Sequence, residues 1–217
     1  MEMQDNTFKF FELLKGIIKT SKFILDIGSS EGSIPKDYFS VKNKLVSLDI
    51  DKKLLVKNPN KKKIIANAYL LPFRDEHFDF VILKYVLEYL DQPELVVSQL
   101  RAILKRNQFV YVVVPKYYAF QDTIYRILGK TAELLRLGKQ AHIAKFTFGT
   151  LCKLFYDNGF IMIDFYEADA GLSFLDKTSA RRNLKKIILL FIYLIKKITG
   201  KNLLERNEMH FLFCKFE

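Results

Sequence analysis

Short apolar runs alternate with polar or helix-period stretches along the first half of this chain. Phe23–Ile27, Leu45–Asp49, Lys63–Ala66, Phe78–Leu83 and Phe109–Val114 are rich in Val, Ile, Leu or Phe and have the length of strands. Strands separated by helical segments predict a parallel sheet with helices on both faces, an open Rossmann-like α/β sheet. Glu94–Lys105 predicts one covering helix, with Leu95, Val96, Leu100 and Leu104 on one face and Pro93 suited to its first turn. Beyond Pro115 the pattern loosens into an aromatic group, Tyr117, Tyr118 and Phe120, and a helical stretch to about Leu137. A helix over Phe148–Asn158 stops at Gly159, and strands follow over Ile161–Tyr166 and Met209–Phe216. Without a repeat or linker, residues 1–217 read as a single domain, with 116–160 and 170–205 as substrate-side or peripheral elaborations.

The first apolar run exits into Gly28-Ser29-Ser30-Glu31-Gly32. In an open parallel sheet the loop leaving the first strand is the usual ligand cradle. A dinucleotide site reads G-x-G-x-x-G, and the central glycine that admits a pyrophosphate is missing here. Asp26 and Glu31 would also repel a pyrophosphate, whereas carboxylates offset an ammonium or sulfonium charge, and S-adenosylmethionine carries both. Asp49 ends the next strand, where an acidic side chain can accept both hydroxyls of a ribose. Two plainer readings stand beside these: a strand-to-helix turn holding no ligand, and an Asp51 helix cap with Asp49 as its solvated neighbour.

These blocks, taken together, resemble class I S-adenosylmethionine-dependent methyltransferases, in particular the quinone-biosynthesis and small-molecule branch. The resemblance covers roughly Lys22 to Pro115. ILDIGSSEG is similar to the family's glycine-rich motif, and LDID to its ribose-binding acid. ANAYLLPF at Ala66–Phe73 with His77-Phe78-Asp79 resembles its "DA…LPF…FD" segment, and Lys84–Leu90, Leu104-Lys105 and Val114-Pro115 resemble the later motifs. The resemblance implies a mostly parallel sheet with an antiparallel last strand. It also implies S-adenosyl-L-methionine held by Asp26, Gly28, Ser29, Ser30, Gly32, Asp49, Ile50, Asn67, Ala68 and Lys84. Asp26 would orient the ammonium group, Asp49 the ribose, and Asn67 with Ala68 would border the adenine. Ser30 stands where the family has a glycine, Asn67 where it has an acid, and Lys105-Arg106-Asn107-Gln108 where it has a Lys-Pro-Gly-Gly turn.

Methyl transfer is an in-line displacement that needs no nucleophilic side chain, though a hydroxyl or acidic carbon acceptor benefits from a general base. His142, in the irregular region over the substrate side, and Tyr85, after the fourth strand beside Lys84 and Glu88, are the candidates. Surface packing is the plainer reading of His142. His77 precedes its strand and reads as turn filling. His210, near the start of an antiparallel last strand, would approach the rim, with core packing as the alternative.

A net charge of +11 favours an anionic partner such as nucleic acid, anionic lipid or an acidic substrate, unless it reflects a general composition bias. Within 181–201, Arg and Lys surround the apolar run Ile187–Ile195, too short to span a bilayer. Interfacial binding to an anionic membrane surface and burial in the domain are both open. The expected acceptor is a small or lipid-like molecule; an RNA methyltransferase and a non-catalytic scaffold on the same fold are the alternatives. Cys152 and Cys214 have no metal-ligand spacing and read as reduced core residues, so no metal is expected. The acidic, amphipathic start is unlike a secretory signal, which favours a cytoplasmic protein, peripheral at the membrane if 181–201 binds there.

Overall fold

The computed structural model of the protein describes residues 2–32, 44–116, 143–169 and 207–216. His142, the aromatic group after Lys116 and the basic 181–201 segment lie outside them. Seven strands form one sheet in the order β3-β2-β1-β4-β5-β7-β6. They are β1 (Phe23–Ile27), β2 (Lys44–Asp49), β3 (Lys63–Ile65), β4 (Phe78–Lys84), β5 (Leu104–Pro115), β6 (Phe160–Asp169) and β7 (Asn207–Lys215). β1 to β5 run parallel, and β7 alone is antiparallel, to both β5 and β6, as expected from the sequence. The carboxyl ends of β1 to β5 therefore share one rim, and β7 begins at that rim with Glu208 opposite Pro115.

Helices bury both faces of the sheet. α1 (Glu2–Thr20) lays Phe10, Leu14 and Ile18, spaced four apart, on Ile24, Phe80, Ile82, Tyr111, Val113 and Leu212. On the other face α3 (Pro93–Ile103) and α4 (Phe148–Asp157) pack onto alternate residues of the same strands, among them Leu25, Val81 and Val112. Burial on both faces explains why the central strands read as continuous apolar runs. α4 carries a Thr147 capping box, and Gly159 ends it at φ +81°, where a Cβ would meet the Arg101 guanidinium at 1.5 Å.

Two sequence expectations need correction. The helix over Glu94–Lys105 ends at Ile103, because Leu104 pairs with Phe78 and opens β5, with a register shift before Phe109. Its buried face is Val96, Val97, Leu100 and Ile103, while Leu95 is 47% exposed, one residue off that i, i+1, i+4, i+7 stripe. Cys152 and Cys214 are free thiols at the half-buried edge of the core rather than within it. Among the described residues no helix is long and apolar enough to cross a membrane.

Candidate functional site

The loop leaving β1 is built on left-handed backbone. Gly28 sits at φ +66°, and a Cβ there would come within 2.4 Å of Val86 Cγ2, so only glycine fits. Ser30 takes φ +47° and Gly32 φ +94°. The Ser29 N–H donates to Leu48 O (3.0 Å) and the Gly32 N–H to Ser29 O (2.8 Å), which folds the loop over the end of β2.

Two carboxylates converge beneath this loop. Asp26, next to the carboxyl end of β1 and paired across to Ser47 and Ile82, is 4% exposed. Burial pushes its carboxyl up to about 7, with Lys84 pulling the other way and Asp49 adding to the rise. Asp49, 8% exposed, takes the Ser30 N–H on Oδ2 and the Asp51 N–H on Oδ1, each at 2.8 Å. Each oxygen keeps a free lone pair, room for a pair of hydroxyl donors. Asp51 does cap α2 (Lys52–Lys57), accepting the Lys53 N–H at 2.7 Å, but Asp49 is a buried, oriented acid and not a solvated neighbour. Ile50, next in the chain, is 67% exposed, an apolar platform beside the acid.

Asp26 Oδ1 and Ser29 Oγ are buried with no hydrogen-bond partner among the described residues. Such groups are costly unless a ligand completes them. Together with Asp49 and the bare loop they fit a ligand that combines a cation with a vicinal diol, as S-adenosylmethionine does.

Asn67 follows β3 and is exposed, with Ala68 half-buried beside it. The Asn67 Oδ1 accepts the Tyr69 N–H at 3.0 Å, so its carbonyl is already engaged in a local turn. Tyr69 and Leu71 tie this segment to α3: the Tyr69 hydroxyl donates to Asp91, the Gln99 amide donates to Tyr69 O, and the Leu71 N–H donates to Gln99 Oε1 at 2.7 Å. Sequence reasoning missed this brace, since nothing in spacing alone pairs a loop tyrosine with a helix glutamine.

At the end of β4, Tyr85 is held in left-handed backbone, φ +57°, with its N–H on Val113 O at 2.9 Å. Its hydroxyl donates to Glu208, and burial followed by that bond raises its pKa far above the ordinary phenol value. Tyr85 therefore holds its proton more firmly than an ordinary phenol. Glu208 lies 3.5 Å from His210 Nε2, and His210 Nδ1 is 2.7 Å from the Tyr111 hydroxyl. The neighbouring His210, then Tyr85, hold the Glu208 carboxyl below its usual range despite burial. Lys84 acts electrostatically on both Asp26 and Glu208.

His210 thus satisfies both readings given above, at the rim by its position in β7 and buried against Phe10, Phe11 and Tyr166 under α1. His77 packs tilted against Phe23 (5.0 Å) and edge-to-face against Phe78 (4.8 Å) at the opposite end of the sheet. Glu88, in a single 3-10 turn after β4, is 1% exposed; burial lifts its carboxyl to about 7, and its main-chain carbonyl accepts the Ile143 (2.8 Å) and Ala144 (3.1 Å) N–H groups.

Comparison with known proteins places the fold. A Bacillus halodurans protein assigned as a candidate methyltransferase superposes with a TM-score of 0.69 at 15% identity, covering 98% of this chain and 100% of its own. A SAM-dependent methyltransferase from Methanosarcina mazei gives 0.62 at 15% identity, covering 94% and 97%. Phosphoethanolamine N-methyltransferase 2 of Haemonchus contortus, bound to phosphomonomethylethanolamine and S-adenosylhomocysteine, gives 0.62 at 13%, covering 96% and 52%. At such identities these likenesses establish the fold. An uncharacterized protein of Methanocaldococcus jannaschii is 30% identical over 103 residues, 46% of this chain and 48% of that relative, so the match spans about half of each. The glycine loop, Asp49, the Asn67 turn and the β4 rim all fall within residues 25–112, the segment that matches a family profile described as a methyltransferase domain.

Proposed function

We propose that the chain transfers a methyl group from S-adenosylmethionine to a small or lipid-like acceptor. The observation that carries this reading is the pair of buried carboxylates, Asp26 and Asp49, under a loop whose Ser29 hydroxyl and Asp26 Oδ1 lack partners among the described residues. Bound S-adenosylmethionine would supply an electrophilic methyl group on a sulfonium. Asp26 offsets the cofactor's positive charge, Asp49 accepts its ribose hydroxyls, and Ile50 offers the adenine an apolar surface. Placement in line can supply about 7–11 kcal/mol toward such a reaction.

An acceptor that arrives protonated must lose that proton as the bond to carbon forms. Tyr85 passes it to Glu208, whose ionised carboxylate His210 keeps ready to receive it. The quinone-biosynthesis resemblance puts apolar acceptors first, and the basic apolar segment 181–201 would let the protein meet them at an anionic membrane surface. Titration calorimetry with S-adenosylmethionine and S-adenosylhomocysteine tests the cofactor; absence of binding to the folded protein ends the reading. Labelled cofactor incubated with cell extract then reports the acceptor.

A further inference from the structure

Ser30 is the departure from the family's glycine loop, and the backbone shows why it matters. At φ +47° a residue with a Cβ is disfavoured, and glycine is the ordinary occupant. The conformation is nevertheless held from behind. Asn58, 4% exposed in the loop between α2 and β3, donates its side-chain amide to Ser30 O at 3.2 Å and to Ser29 O at 3.4 Å. Its Oδ1 accepts the Asn60 N–H at 2.9 Å, which orients the amide group toward the loop. Asn60 is anchored in turn, donating to Leu45 O (2.9 Å), Ser47 Oγ (3.1 Å) and Lys62 O (3.0 Å). A Cβ on Gly32 would meet Pro59 Cδ at 3.1 Å and Asn58 Oδ1 at 3.6 Å, so residues 58 and 59 are seated directly against the loop.

We infer that Asn58 is a positioning residue for cofactor binding, a latch that keeps Ser29 and Ser30 in the ligand-ready conformation a glycine would adopt unaided. Its amide grips the two carbonyls from one side while Asp49 takes the Ser30 N–H at 2.8 Å on the other. Both faces of the Ser30 peptide environment are thereby fixed without Asn58 touching the ligand. The inference rests on the proposed cofactor, and its test separates the two.

Calorimetry with S-adenosylmethionine compares Asn58→Ala in the natural background and in a Ser30→Gly background, with thermal melting as the control for folding. The expected loss of affinity is about tenfold with Ser30 present and about threefold or less with Ser30→Gly, because glycine populates left-handed backbone readily. An equal loss in both backgrounds, or no loss in the natural one, overturns the latch. If Asn58→Ala melts too early, Asn58→Asp replaces it, since aspartate keeps the acceptor for Asn60 and removes the donor to the loop. Should the wild type bind no S-adenosylmethionine, the cofactor reading fails, and amide hydrogen exchange decides the latch alone. Faster exchange at the Ser30 and Gly32 N–H groups in Asn58→Ala supports it; unchanged exchange refutes it.

Discussion

The Ser30 N–H donates to Asp49 Oδ2 at 2.8 Å, so the acid at the end of β2 and the glycine loop after β1 form one unit. The side chain expected to hold the ribose also fixes the backbone expected to hold the methionine moiety. Removing it should act twice. Asp49→Ala is expected to weaken S-adenosylmethionine binding at least tenfold, the loss of a bidentate contact worth ~1.5–3 kcal/mol. Asp49→Asn, which keeps one acceptor for the loop, should lose less. Calorimetry showing equal affinity for wild type and Asp49→Ala would remove Asp49 from the site.

Asp26 predicts a pH dependence with a definite sign. Its folded-state pKa of about 7 lies above the ordinary 3.8, so the folded protein holds a proton that the unfolded chain has released. The stability due to that proton is complete below pH ~4 and is lost as the pH rises through 7. Asp26→Asn should therefore stabilise the ligand-free protein at pH 8, by as much as about 4 kcal/mol, and by much less at pH 4. A cationic ligand favours the ionised form, so cofactor affinity should fall as the pH drops below 7, with proton release on binding near pH 6. Denaturation of both proteins at pH 4 and 8 checks the first part; a pH-independent difference would show that Asp26 is not carrying that proton.

These two carboxylates illustrate what could be read in the sequence and what could not. β1, the glycine loop and the acid closing β2 were legible because strand period and loop composition are local properties. So was the antiparallel β7, through family resemblance rather than through its own pattern. The Glu208–His210–Tyr111 chain was not legible, because it joins β5 and β7 across 99 residues and its members look like ordinary strand residues. The brace from Asn58 was hidden for the same reason, 28 residues from the carbonyl it holds. The end of α3 was misplaced because Leu104 satisfies a helical face and a buried strand equally well, and pairing with Phe78 decided between them.

The segment 181–201 carries a prediction of its own, from its sequence. Its basic residues around Ile187–Ile195 should bind anionic vesicles reversibly at low salt, by charge attraction with shallow apolar insertion. Replacing Lys185, Lys186, Lys196 and Lys197 with Gln should abolish flotation with vesicles and leave S-adenosylmethionine affinity unchanged. Flotation that is absent in the wild type, or indifferent to those lysines, would remove the membrane from the proposal.

The Tyr85–Glu208 bond makes the last prediction. Glu208 is ionised, partly exposed at the rim and backed by His210 at 3.5 Å, so it can take a proton delivered through the Tyr85 hydroxyl. Glu208→Gln should lower transfer of label from S-adenosylmethionine into cell extract by about 10²-fold, the lower end of what a general base contributes. Cofactor affinity should stay within about twofold, since Glu208 lies two strands from β4 and beyond the Asp26–Asp49 pair. The deficit should also shrink as the pH rises, because an acceptor that ionises in solution no longer needs the relay. Tyr85→Phe should reproduce the loss, as it breaks the same path one step earlier. A merely structural Glu208 would give a deficit that does not change with pH, and equal rates for wild type and Glu208→Gln would leave methyl transfer in place while removing Glu208 from the path of the proton.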